Sequence, residues 1–228
     1  MNRVSTAPPP LQRFLALGDS YTIGEGVATE ERWPAQLVRR LRAHAITFDD
    51  PRIIAKTGWS TDELAAAIDA AEFEAPYALV TLLIGVNNQY RGRDLANYRD
   101  EFSALLARAV AFAGGLADRV VVVSIPDWGV TRFAHEQQGR DVQRVAAEID
   151  AFNTAAREIA NAQGIAFVDV TTASRTCGDA AHALVDDGLH PSAAQYALWT
   201  DAIFEVVARL ELSSRRENLN EKTDREGD

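Results

Sequence analysis

Residues 78–84 read Ala-Leu-Val-Thr-Leu-Leu-Ile, seven residues of which only Thr81 is polar. A strand with no polar face has to be covered on both sides, so this run belongs at the centre of a parallel sheet with a helical layer on each face. Working outward, four similar short runs lie at residues 14–17, 52–56, 120–125 and 165–168. Between them the period changes from strand to helix. Leu95, Tyr98, Phe102, Leu105, Leu106 and Ala109 fall three and four apart, and the stripe stops near Gly114 and Gly115. Val142, Val145, Ile149, Phe152, Ala156 and Ile159 repeat it, with Gly164 as the stop.

Upstream, a helix starts at about Trp33 with Pro34 in its first turn, and a shorter one is capped by Ser60 or Thr61, with Asp62 and Glu63 at its positive end. A last helix over residues 192–210 turns Tyr196, Trp199, Ile203, Val206 and Val207 inward. Strands alternating with helices predict an α/β fold built on a five-stranded parallel sheet.

The 228 residues, 47% hydrophobic and 25% charged, suit one globular domain able to bury roughly 70% of its unfolded surface. We place that domain at residues 1–212, followed by a charged tail at 213–228 that reads as disordered. A net charge of −10 argues against nucleic acid and anionic membranes as partners. The single cysteine, Cys177, excludes an internal disulfide framework. Pro8, Pro9 and Pro10 stand where a secretion signal would need an apolar stretch, and no later run reaches membrane-spanning length. A cytoplasmic location is expected.

In open α/β sheets the functional crevice lies beyond the carboxyl ends of the strands, so the loops there carry the chemistry. The first is Gly18-Asp19-Ser20-Tyr21-Thr22-Ile23-Gly24-Glu25-Gly26, where glycines permit a tight turn around an exposed serine. Taken alone it reads equally as a nucleophile loop or as a phosphate-binding turn. Near the C-terminus, Asp187 precedes His190 by three residues. An aspartate on one imidazole nitrogen fixes the tautomer and leaves the other nitrogen free to take a serine proton. Gly58, after the second strand, and Asn87, after the third, offer a backbone N–H and a side-chain NH₂ to a developing oxyanion.

Four motifs, Gly18-Asp19-Ser20, Gly58, Gly85-Val86-Asn87-Asn88 and Asp187-x-x-His190, stand in the order found in the SGNH (GDSL-type) hydrolases, the lysophospholipase-like esterases, and the chain resembles that family. The resemblance implies a flavodoxin-like three-layer α/β/α sandwich with strand order 2-1-3-4-5. It also implies a catalytic Ser20, Asp187 and His190, an oxyanion hole from Ser20, Gly58 and Asn87, and no cofactor or metal. The chain departs from the pattern twice. Tyr21 replaces leucine, at a position not expected to touch the reacting atoms, and Asn88 replaces aspartate.

The expected reaction is hydrolysis of a small-molecule carboxylic ester through an acyl-enzyme on Ser20. Trp59, Tyr90 and Trp128 each follow a strand and are candidates to line the substrate cleft, and the absence of a long lid insertion favours small acyl groups. Arg91 and Arg93 are candidates to recognise an anionic leaving group. The alternatives are a non-catalytic flavin or nucleotide binder on the same sheet, and an inactive scaffold. Oligomeric state is not legible in the sequence.

Overall fold

The apolar runs become five short strands: β1 (Phe14–Gly18), β2 (Arg52–Ala55), β3 (Leu79–Leu83), β4 (Val120–Val123) and β5 (Ala166–Val168). The computed structural model describes residues 11–225. All strands pair in parallel, in the order β2-β1-β3-β4-β5. Every residue of β1, β3 and β4 is buried, as a composition apolar but for Thr81 requires, whereas β2 at one edge is only partly covered. Gly18 stands in register with Ala55 on one side and Leu83 on the other, so β1, β2 and β3 end level.

The helices are α1 (Ser20–Ile23), α2 (Trp33–Ala43), α3 (Thr61–Asp69), α4 (Val86–Tyr90), α5 (Leu95–Phe112), α6 (Arg132–Glu136), α7 (Val142–Ala162), α8 (Thr171–Cys177) and α9 (Ala193–Arg225). Right-handed crossovers decide their layer. The chain steps one way from β1 to β2 and the other way for every later strand. Helix α2 therefore falls on one face, where α9 packs on it, and α3, α5 and α7 pack side by side on the other.

Local chemistry sets the helix ends. Asp94 and Asp141 accept hydrogen bonds from the first amides of α5 and α7, and the Ser60 N–H donates to Glu63 Oε2 at the start of α3. Gly164, at φ 68°, follows the end of α7. Four short helices, α1, α4, α6 and α8, have no counterpart in the sequence reading, because seven residues or fewer are too few to display a period. Helix α9 runs past the expected end at 210, to Arg225. Residues 192–226 contain neither Gly nor Pro and are rich in Leu, Glu, Arg and Lys, so no local signal stops the helix. Residues 1–10, on which the reading of the N-terminus rests, and 226–228 lie outside the described residues. No helix among those described is long and apolar enough to cross a membrane.

One turn illustrates how tightly the sheet edge is built. Gly85, between β3 and α4, has φ 131°, and a Cβ there would meet the ring of Tyr98 at 2.6 Å. Gly85→Ala adds backbone strain and an overlap with a buried ring, and is expected to cost about 2–4 kcal/mol of stability. Chemical unfolding of parent and variant measures the difference.

Candidate active site

Ser20 is the first residue of α1, set directly beyond the end of β1. Asp19 caps this one-turn helix, its Oδ1 accepting from Tyr21 N at 3.0 Å, and the turn closes on Gly24 in the left-handed region, whose N–H meets the Ser20 carbonyl. Asp19 is completely buried, and burial pushes its carboxyl up to about 7, against the pull of the Tyr21 amide. Its Oδ2 has no partner among the described residues. A neutral acid here does not oppose negative charge building up at Ser20; a carboxylate would.

The histidine is held by its own loop. Asp187 Oδ2 lies 2.6 Å from His190 Nδ1, while Asp187 Oδ1 accepts from the backbone N–H of both Leu189 and His190 at 2.8 and 2.9 Å. Burial would raise the Asp187 carboxyl, but the His190 ring and those two amides outweigh it and hold it below the ordinary value. Asp186 plays a different part: its carbonyl accepts from Arg132 Nη2 at 2.8 Å, and Phe133 N donates to the Gly188 carbonyl at 3.0 Å, so α6 braces the loop.

Ser20 and His190 line one cavity of about 180 Å³, together with Tyr21, Thr57, Gly58, Val86, Asn87, Tyr90, Trp128, Phe133 and Leu189. Among the described residues no hydrogen bond joins the Ser20 hydroxyl to the imidazole; such contacts are often long without substrate and tighten in the complex. Among the other lining residues, Asn87 Nδ2 donates to the Trp59 carbonyl at 2.9 Å. One amide hydrogen is thus fixed, and the group has a second to offer the cavity. Gly58, at φ 86°, has no side chain of its own, and only Arg91 Nη2, at 3.9 Å, comes within 4 Å of where a Cβ would stand. Thr57 donates through its hydroxyl to Glu25, tying the loop after β2 to the loop after β1.

The geometry corrects three expectations. Trp59 does not line the cavity: its carbonyl anchors Asn87 while its ring packs, partly buried, on the core beside the start of α3. Arg91 and Arg93 are already engaged and are not free to take an anionic leaving group. Arg91 donates to the Gly58 carbonyl at 2.7 Å and to Glu63 at 2.9 Å, and Arg93 pairs with Asp62 at 2.6 Å, because the first turn of α3 faces them with two carboxylates. Tyr21, expected to stand apart from the reacting atoms, packs its ring on the imidazole, with centroids 5.6 Å apart.

Tyr90 and Trp128 do line the cavity, in edge contact at 5.2 Å, and Trp128 Nε1 donates to Gln89 Oε1 at 2.8 Å. The sequence reading missed Val86, Phe133 and Leu189 as wall residues, and α6 as the brace. Only their places after strands or beside a motif hinted at them. No group of three or more His, Cys, Asp or Glu among the described residues is arranged to hold a metal ion.

Asp19 makes a pH dependence testable. Its folded value of about 7 stands above the ordinary 3.8, so its contribution to stability is complete below about pH 4, falls as pH rises, and is gone above about pH 7. Asp19→Asn removes this contribution. The stability of the parent relative to that variant is therefore expected to decline by on the order of 3 kcal/mol between about pH 4 and about pH 7.5, measured by urea unfolding across that range.

Comparison with solved structures finds the same fold. Among curated proteins none matches the chain. Of solved structures, that of TesA matches with a TM-score of 0.67 at 20% identity, covering 87% of this chain and 99% of that one. The lipase/acylhydrolase from Enterococcus faecalis matches at 0.65 and 19%, covering 87% and 97%. A mutant of Axe2, an acetyl-xylooligosaccharide esterase from Geobacillus, matches at 0.65 and 18%, covering 86% and 94%. The model of the GDSL-like lipase/acylhydrolase family matches residues 16–198, most of the chain, and the protein therefore belongs to that family of carboxylic ester hydrolases.

Proposed function

We propose that the protein is a serine esterase that cleaves esters of small acyl groups, with Ser20 as nucleophile, His190 as general base and Asp187 as its orienting partner. The observation that carries this reading is that Ser20 and the Asp187-paired His190 line one small cavity together with Gly58 and Asn87.

In the first step the Ser20 hydroxyl attacks the ester carbonyl as its proton passes to the free imidazole nitrogen. The resulting oxyanion is met by the amides of Ser20 and Gly58 and by Asn87 Nδ2. Collapse expels the alcohol, which takes the proton from His190. Water, deprotonated by the same imidazole, then attacks the acyl-serine and releases the acid. The low value of Asp187 keeps an anion beside the imidazolium through both halves of the cycle.

The preference for small acyl groups follows from the cavity. At about 180 Å³ it lies below the roughly 300–1,000 Å³ of drug-sized sites, and Val86, Trp128, Phe133 and Leu189 make its walls apolar. Arg140 lies over the rings of both Tyr90 and Trp128, at 5.5 and 5.0 Å. Beyond Tyr90 lies a second cavity of about 390 Å³ with Gln89, Gln137, Arg140, Arg144 and Glu148 around it, which suits a polar alcohol portion better than a lipid chain.

Two measurements test the proposal. Ser20→Ala is expected to lower turnover of p-nitrophenyl acetate by ~10⁴–10⁶-fold and to abolish labelling by a fluorophosphonate; equal rates in parent and variant would exclude the mechanism. Across a series of p-nitrophenyl esters, kcat/KM for acetate and butyrate is expected to exceed that for palmitate. Faster palmitate cleavage would overturn the size assignment.

A further inference from the structure

Asn88, where the family pattern has aspartate, is completely buried beside the site, and its hydrogen bonds run in one determined direction. The Thr61 backbone N–H lies 3.1 Å from Asn88 Oδ1. A backbone amide only donates, so that atom is the amide oxygen, and the amide nitrogen is the one 2.6 Å from Thr61 Oγ1. The nitrogen in turn only donates. The Thr61 hydroxyl must accept from it and send its single proton elsewhere, and it donates to Glu101 Oε2. Glu101 Oε1 accepts from Asn97 Nδ2 at 3.0 Å, and the chain of donors ends on a carboxylate with both oxygens engaged.

We propose that Asn88, Thr61 and Glu101 form a one-way hydrogen-bond relay that positions the two donor-bearing walls of the oxyanion hole, and that the carboxylate of Glu101 is what requires an amide at position 88. Thr61 opens α3, three residues after Gly58, and Asn88 sits in α4, next to Asn87. The relay thus bolts together the elements that carry the two donors, beside the links from Asn87 to the Trp59 carbonyl and from Arg91 to the Gly58 carbonyl. An aspartate in place of Asn88 would break it. Its second oxygen would face Thr61 Oγ1 as an acceptor, one oxygen of each carboxylate would compete for a single proton, and one of those two oxygens would be left without a donor near a like charge.

The catalytic consequence rests on the serine-esterase reading above; the direction of the relay does not. Asn88→Asp is expected to lower kcat by about 10- to 100-fold while KM changes by no more than about twofold, because donors are misaimed rather than substrate binding lost. Its melting temperature should fall as well. Adding Glu101→Gln reverses both bonds of the Thr61 hydroxyl without loss. The introduced amide nitrogen donates to Thr61 Oγ1, the Thr61 hydroxyl donates to the introduced carboxylate, and the introduced amide oxygen still accepts from Asn97.

The double variant Asn88→Asp/Glu101→Gln is therefore expected to recover kcat to within about threefold of the parent, with its melting temperature. An Asn88→Asp enzyme with parental kcat overturns the proposal, as does a double variant no better than the single one, whether through inactivity or failure to fold. A loss confined to melting temperature overturns the positioning role. Ser20→Ala assayed alongside separates the two readings: if hydrolysis survives it, the esterase mechanism falls, and recovery or non-recovery of the melting temperature still decides the relay.

Discussion

The site depends on the level ending of three adjacent strands. Because β1 lies between β2 and β3 and all three run parallel in matched register, the chain leaving β1 emerges with a neighbour's loop on either side. This is the place in an open α/β sheet where crossover connections diverge and a crevice forms. Gly18 makes the convergence close. A Cβ there would lie 2.5 Å from the Leu83 carbonyl oxygen and 2.2 Å from Thr22 Oγ1, so only glycine lets α1 turn immediately and set Ser20 between Gly58 and Asn87. The ladders of hydrogen bonds behind these loops keep the three walls from moving independently.

Electrostatics divides two nearby carboxyl groups. Asp19, buried without a cation, is driven up and spends much of the neutral range protonated, whereas Asp187 is drawn down by an imidazole and two amides. Opposite displacement of two acids in one site is the usual sign that their tasks differ. Asp19 has the structural one, capping the turn that presents Ser20. On the proposed mechanism Asp187 has the chemical one, an anion beside the imidazolium.

Much of this was legible in the sequence, for reasons that differ by element. The strands were readable because β1, β3 and β4 are buried on both faces and so are nearly free of polar residues; their ends shifted by a residue or two where the apolar run outlasts the pairing. The long helices α5 and α7 were readable because each repeats its stripe over four turns or more. The Asp187–His190 pair is local, since a step of three residues suffices to close it. Its convergence with Ser20, far away along the chain, is not local, and no spacing rule predicts it; the order of four motifs does. Side-chain direction was the least readable feature. Nothing in the sequence distinguishes a Trp59 that points to the core from one that lines the cleft, or tells that Tyr21 folds back onto the imidazole. Arg91 and Arg93 look like free loop cations until the first turn of α3 brings Asp62 and Glu63 against them.

Helix α4 shows why so small an element, invisible to periodicity, matters so much. At about 3.6 residues per turn, the five positions 87–91 point in every direction around the axis, so each side chain meets a different part of the site. Asn87 offers a donor to the cavity, Asn88 ties to α3, Gln89 holds Trp128 through its indole and reaches Glu148 at 2.7 Å, Tyr90 forms the rim, and Arg91 grips the Gly58 carbonyl. The proposed oxyanion donor and part of the cavity wall are thus mounted on the same short stretch of chain. Any shift of that turn changes charge stabilisation and pocket size together. On the proposed reading, a change of acyl group therefore falls to the side chains of Trp128 and Phe133, which line the cavity from the segment around α6, while the backbone of that segment stays tied to the Asp187–His190 loop.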